Sequence, residues 1–93
     1  MPPFVTALVD QYRARPIDST PQSIWRYTYE NRDVYYVPPV CCDVPSTLYD
    51  SDGNVLCAPD GGITGRGDGR CADFSTQRSN GVAIWTDLRR TTQ

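Results

Sequence analysis

The chain is 93 residues long, with a formal net charge of −2, a hydrophobic fraction of 39%, and two Trp, six Tyr and two Phe. This length makes one domain over residues 1–93, and the aromatic content excludes an intrinsically disordered chain. Nine scattered arginines against eleven acidic residues exclude a basic nucleic-acid-binding stripe, and no apolar run reaches the roughly 20 residues of a membrane span.

The first predicted element is an amphipathic helix within residues 1–15. Phe4, Leu8 and Tyr12 recur at i, i+4 and i+8, which places them on one face of a helix. The periodic pattern itself covers residues 3–14, so we expect one side of this helix to pack on the rest of the domain.

A β-hairpin is predicted next, over residues 24–38. Trp25, Tyr27 and Tyr29 alternate with polar residues, which is the period of a half-buried strand. Its two strands are expected over 24–30 and 34–38.

The turn of this hairpin is predicted at Asn31 and Arg32. Asparagine tolerates the positive φ that a tight hairpin turn requires. A two-residue turn here would set Glu30 opposite Asp33, and like charges directly across a strand pair are unfavourable. A register shifted by one residue is therefore the alternative.

The second half of the chain predicts a hairpin over 47–57, a glycine-rich loop over 58–71 and a last strand over 82–88. Gly53 is expected in the left-handed region, closing a type I turn with a bulge. Together these elements predict an α+β fold. The N-terminal helix packs on a small antiparallel sheet of four or five strands, stapled by disulfides.

Four cysteines, Cys41, Cys42, Cys57 and Cys71, carry the strongest signal in the sequence. A bridge between adjacent cysteines would be strained, which leaves 41–57 with 42–71, or 41–71 with 42–57. Two bridges would place the protein outside the cytoplasm, in the periplasm, secreted, or lipid-anchored. The alternatives are a four-cysteine zinc site, which the spacing disfavours, and reduced thiols in a cytoplasmic protein. Export would require a leader that has been removed, because the N-terminal residues do not form one.

Possible catalytic and metal-binding residues are few, because the chain contains no histidine and a single glutamate. Asp50, Asp52 and Asp60 are weak candidates for calcium, since the twelfth position of a helical calcium loop would be a glycine. Turn carboxylates explain them better. No catalytic residue, metal or cofactor is assigned.

A partner surface is predicted around the glycine-rich loop, with Tyr35, Arg66, Asp68 and Arg70 as its candidate residues. Tyrosine and arginine are favoured at protein interfaces. The predicted function is a non-catalytic interaction or envelope-associated module that meets a protein or surface partner. A calcium-stabilised binding module is the alternative, and a small Asp-based hydrolase is third.

Several motifs carry a resemblance to a known family. They are Cys41-Cys42-Asp43, Leu48-Tyr49-Asp50-x-Asp52-Gly53-Asn54, Cys57-x-Pro59-Asp60-Gly61-Gly62-x-Thr64-Gly65-x-Gly67-Asp68-Gly69-x-Cys71 and Ile84-Trp85-x-Asp87-x-Arg89. With them the chain resembles, from residue 24 to 89, a family of small uncharacterised bacterial proteins, many of them exported or lipoprotein-like. That family is a domain of unknown function, so the resemblance implies export and a shared loop but no activity. The chain departs from the family pattern at Val44 and Ala72.

Overall fold

The computed structural model describes residues 2–16, 20–40, 44–63 and 65–87. Its elements are α1 (Pro3–Arg13), β1 (Ser23–Tyr29), β2 (Arg32–Val37), β3 (Thr47–Tyr49), β4 (Val55–Cys57), α2 (Phe74–Gln77) and β5 (Ser79–Thr86). The five strands form one sheet in the order β4-β3-β2-β1-β5, and every neighbouring pair is antiparallel. The predicted α+β architecture, with a helix on a small antiparallel sheet, is confirmed.

Helix α1 covers one face of this sheet. Pro3 stands at its first position, where a missing N–H costs nothing, and the helix buries Val5, Val9 and Tyr12. These side chains pack against Ile24 of β1 and against β2, and we call this cluster the helix-face core. Its buried members are Val5, Val9, Tyr12, Ile24, Tyr35 and Val37.

The turn of the first hairpin lies one residue earlier than Asn31-Arg32. Glu30 and Asn31 form it with φ of 53° and 62°, and Tyr29 pairs with Arg32. The shifted register sets Asp33 opposite Thr28 instead of Glu30, which removes the like-charge pair. This register also places Glu30 in the left-handed region of backbone conformation, where glycine or asparagine is favoured.

The second hairpin follows its prediction closely. The Asp50 amide donates to the Asn54 carbonyl oxygen over 3.0 Å, and the Gly53 amide donates to the Asp50 carbonyl over 3.2 Å. Gly53 has a φ of +89°, as the turn with a bulge requires. The register between β3 and β4 shifts beside this turn, so the bulge is present.

The face of the sheet opposite α1 carries a second core, which the sequence did not predict. It contains the buried residues Tyr29, Val34, Leu48, Cys57, Cys71 and Phe74, and we call it the disulfide-face core. Phe74 comes from α2, a four-residue helix inside a segment without a periodic pattern. Its ring centroid lies 5.3 Å from that of Tyr29 and 5.5 Å from that of Tyr27, both edge-on. Each face of the sheet therefore carries a buried core.

The cysteine pairing corrects the prediction. Cys57 is bonded to Cys71, with Cα atoms 6.2 Å apart. Because each sulfur enters one bridge only, both predicted pairings are wrong, since each joined Cys57 and Cys71 to Cys41 or Cys42. Those two cysteines lie outside the described residues, as does Asp43.

Strand β5 begins three residues before its predicted start at Val82. It pairs with β1 along its length, with two register shifts. Gly81 lies under the ring of Tyr27, so close that a Cβ at this position would clash with the ring carbons. The predicted last residue, Leu88, lies outside the described part of the chain.

Candidate functional site

The candidate site is the segment between the bonded cysteines, residues 58–70, which we call the glycine loop. Its described residues, 58–63 and 65–70, belong to no helix and to none of the five strands, yet hydrogen bonds join its backbone to itself. The Asp68 amide donates to the Ala58 carbonyl over 2.9 Å, and the Gly67 amide donates to the Gly61 carbonyl over 3.0 Å. Hydrogen bonds and the disulfide together restrain the described residues of this loop.

Gly67 is required where the two limbs of the loop meet. Its φ is +65°, and a Cβ here would collide with the carbonyl group of Ala58. Only glycine combines this backbone conformation with such a close approach. Gly67 therefore lets the two limbs of the loop pack tightly beside the cystine.

A hydrogen-bonded group anchors the base of the loop to the sheet. The Tyr36 hydroxyl donates to both carboxylate oxygens of Asp60 at 2.9 Å. Ser46, which is buried, accepts from the Asp60 amide and donates to the Asp60 carbonyl oxygen, both over 3.1 Å. Burial, and then the hydrogen bond to Asp60, raise the pKa of Tyr36 to about 12. The phenol therefore stays protonated and the anchor is intact at neutral pH.

The outer part of the loop presents an apolar residue to solvent. Ile63 is 91% exposed, the highest value among the exposed large hydrophobic residues that the structure describes. Fully burying an isoleucine is worth about 1.5–3 kcal/mol, and the fold gains almost none of this at residue 63. The loop thus holds an isoleucine away from both cores.

Three of the four predicted surface residues do lie on this loop. Arg66, Asp68 and Arg70 are all exposed. The Arg70 guanidinium lies 3.7 Å from the Asp68 carboxylate and also donates to the Leu56 carbonyl oxygen. The hydrogen bond from the Arg70 amide lowers the pKa of Asp68, which stays ionised at neutral pH. The loop surface therefore combines one apolar side chain with fixed charges of both signs.

Tyr35, the fourth predicted surface residue, is not on the surface. It is 5% exposed and belongs to the helix-face core, where its ring lies edge-on to Phe4 with centroids 5.5 Å apart. The prediction placed it wrongly because Tyr35 and its neighbour Tyr36 point to opposite faces, and both faces are covered.

The weak calcium candidates do not converge. Asp50 accepts hydrogen bonds from the amides of Asp52 and Asn54, at 2.9 Å and 3.0 Å, and so closes its own hairpin turn. Asp60 is engaged by Tyr36. Within the described ranges, no three acidic or cysteine side chains are grouped so that they could hold a metal ion.

A second tyrosine–aspartate pair lies on the disulfide face. The Tyr29 hydroxyl donates to an Asp73 carboxylate oxygen over 2.6 Å. This hydrogen bond, followed by burial, raises the pKa of Tyr29 to about 12. This pair joins the first hairpin to the residue that precedes α2. The Tyr36–Asp60 pair makes the same kind of contact between the sheet and the glycine loop.

Residues 10–87 match the family model of a domain of unknown function, DUF6970. The match covers most of the 93-residue chain. This chain belongs to DUF6970. The DUF6970 region includes the end of α1, all five strands and the whole glycine loop.

No curated protein and no solved structure matches the chain. Neither helix in the described part of this DUF6970 chain is long and apolar enough to cross a membrane.

Sequence reasoning missed both tyrosine–carboxylate pairs and the exposure of Ile63. The pairs depend on which strand residues face the loop, and that follows from the register of the sheet. Ile63 did leave a signal, because it is the single large aliphatic residue between Cys57 and Cys71. An isoleucine among glycines, with no apolar neighbour to share a core, indicates either a packing contact or an exposed anchor.

Proposed function

We propose that this DUF6970 domain is a non-catalytic binding module of the cell envelope or its surroundings, and that the glycine loop contacts a protein partner. The exposure of Ile63 on a covalently closed loop carries this proposal. An apolar side chain buried at an interface gains the transfer free energy that it lacks in the free protein. We expect Ile63 to enter an apolar pocket of the partner.

The rigidity of the loop supports the same function. A binding loop that is already ordered loses less conformational entropy when it meets its partner. The disulfide Cys57–Cys71, the cross-loop hydrogen bond Asp68–Ala58 and the Tyr36–Asp60 anchor all restrict the loop before binding. Arg66 and Asp68 flank the apolar anchor with charges that fix the orientation of the partner.

The location in the envelope rests on the disulfide and on the resemblance to exported bacterial proteins. Disulfides persist in oxidising compartments and are rare in the cytosol. Non-reducing mass spectrometry of protein isolated from the periplasm or medium of the producing cells should find the peptides of Cys57 and Cys71 linked. Recovery of the chain from the cytosol with these thiols reduced would contradict the proposed location.

Site-specific photocrosslinking tests the binding surface. A photoreactive amino acid at Ile63 should give covalent adducts with one protein in the cells that make the domain. The matched control is the same group at Val55, which is 58% exposed on β4 and lies outside the loop. Equal adducts from both positions, or none from either, would show that the loop is not the contact surface.

Substitution then tests the contribution of the side chain. Replacement of Ile63 by serine should abolish the adduct formed from a photoreactive group placed at Arg66, while thermal stability stays unchanged because Ile63 packs on neither core. The control Val55→Thr should leave the adduct intact. Retention of full crosslinking in Ile63→Ser would contradict the role of the isoleucine.

A further inference from the structure

The two edges of the sheet differ in their protection. β4 is three residues long, and the Arg70 guanidinium binds the Leu56 carbonyl oxygen in it. β5 is eight residues long, Ser79–Thr86, with neither a charged residue nor a proline. Sheets normally protect a long edge with charges, prolines or a covering segment, because unpaired backbone groups recruit another strand. β4 is protected in this way, whereas none of the residues that the structure describes protects β5 with a charge, a proline or a covering segment.

Nothing in the described part of the chain pairs with the outer side of β5, because the sheet order ends there. Two register shifts against β1 interrupt the strand, and bulges can themselves discourage edge pairing. Here they flank the centre of β5 and leave Val82 and Ala83 in regular register with Arg26 and Trp25. The centre of the strand thus keeps the geometry that a further strand could extend.

A groove lined mainly by apolar side chains runs beside this centre. Val82 and Ile84 line it together with Tyr35 and Pro2, and its volume is about 360 Å³. Val82 is 45% exposed although it lies on the same face as the helix-face core. Arg26 is the one charged residue of the lining. Helix α1 leaves this part of the sheet face uncovered, next to the open edge.

We propose that a second copy of this chain occupies the edge, with the two β5 strands antiparallel about a two-fold axis at Ala83. In this register Val82 lies opposite Ile84 of the second copy, and the two-fold axis makes the contact occur twice. Val82 and Ile84 both line the groove, so both pairs add to it. The sheet then continues from one protomer into the other.

A second copy fits this edge because antiparallel pairing of β5 with itself opposes only uncharged residues. Like charges directly across a strand pair would be repulsive, and β5 contains none. The glycine loops follow β4, which lies at the opposite end of the sheet order from β5. They therefore lie outside the dimer contact. The dimer surface and the proposed binding loop are therefore independent.

Sedimentation analysis of the full chain, from micromolar to millimolar concentration, tests the dimer. The wild type should shift with concentration toward twice the 10.4 kDa mass of one chain. The variant Val82→Glu should remain at the single-chain mass, because it places a carboxylate at the apolar contact. Glutamate is chosen because Arg26 pairs with Val82 across β1 and should tolerate it in the monomer. The control Val55→Glu, on the protected edge, should dimerise like the wild type.

Hydrogen exchange locates the contact independently of the variants. Amides near Ala83 should become more protected as the concentration of wild-type protein rises, and those of β4 should not. The proposal is overturned if the wild type sediments as a single chain at every concentration, or if Val82→Glu dimerises as the wild type does. Ile63→Ser should dimerise normally, so a failure here is distinguishable from a failure of the binding loop.

Discussion

The two faces of the sheet are closed in different ways. On the helix face, a regular helix delivers Val5, Val9 and Tyr12 onto aliphatic and aromatic strand residues. On the disulfide face, a single large apolar residue from a very short helix, Phe74, is joined by a cystine and by tyrosine–carboxylate hydrogen bonds. The first core depends on a repeated pattern, and the second depends on a few individual residues. A small domain that lacks a second long helix can still cover both faces in this way.

The largest expected effect concerns Phe74. It is 1% exposed and lies among the rings of Tyr27, Tyr29 and Tyr36, so Phe74→Ala should lower the free energy of unfolding by about 3–5 kcal/mol. Val5, fully buried on the helix face, is the matched position, and Val5→Ala should cost about 2 kcal/mol. Urea denaturation of both variants measures the difference. Equal losses would mean that the disulfide-face core does not depend on this one ring.

The next effect concerns the disulfide. The bridge spans 14 residues in sequence, and removal of a closed loop of this size should cost about 3 kcal/mol. We expect Cys57→Ala combined with Cys71→Ala to lower stability by that amount and to increase hydrogen exchange in the glycine loop. Exchange in α1 should rise only with global unfolding. An increase of the same size over the whole chain, with no additional increase in the glycine loop, would contradict the local role of the bridge.

The helix of the helix-face core could be predicted from sequence, and the residues that cover the disulfide face could not. The spacing of Phe4, Leu8 and Tyr12 predicts that helix. The alternation from Trp25 to Tyr29 predicts a strand, but Tyr27 and Tyr29 lie on the disulfide face, where they contact Phe74. Phe74 stands in a segment too short to show a period. Its partners are known only after the strand register is known.

The cysteine pairing failed for a related reason. The adjacency of Cys41 and Cys42 argues against a bond within that pair, which leaves only pairings that join each of them to Cys57 or Cys71. The bond that forms is decided by where β4 ends and where the glycine loop returns, because Cys57 and Cys71 come together under α2. The predicted exposure of Tyr35 is likewise wrong, because α1 covers the face of the sheet to which it points, and the strand pattern alone does not show that.

A smaller effect is expected at high pH. The pKa of Tyr29 and of Tyr36 is raised from 10.0 to about 12, so folding favours the protonated phenols. Their contribution to stability is complete below pH 10 and is lost as the pH rises through about 12. Tyr12 of the helix-face core behaves in the same direction, because burial raises its pKa to about 12. Denaturation of the wild type on both sides of pH 10 should show the decrease.

The tyrosine hydroxyls can be separated from that general decrease. Tyr29→Phe and Tyr36→Phe each remove one hydrogen bond to a carboxylate and should cost about 1 kcal/mol at neutral pH. They should also reduce the loss above pH 10, because a phenylalanine has no proton to release. An unchanged alkaline slope in the double variant would indicate that Tyr12 and the other tyrosines account for it.

The smallest effect is expected at Asp50, which closes a turn outside both cores. Hydrogen bonds from the amides of Asn54 and Asp52 lower the pKa of this carboxyl below 3.8. Its contribution is therefore present above that pH and is lost as the pH falls through the lowered value. Asp50→Ala should cost less than either tyrosine variant, and Asp50→Asn should cost less still, because an amide oxygen can still accept.

The same pair of variants tests the calcium alternative. Since the carboxylate is engaged by its own turn, calcium should raise the thermal midpoint of neither variant nor of the wild type. A calcium-dependent rise in the wild type that Asp50→Asn abolishes would instead make this turn a metal site.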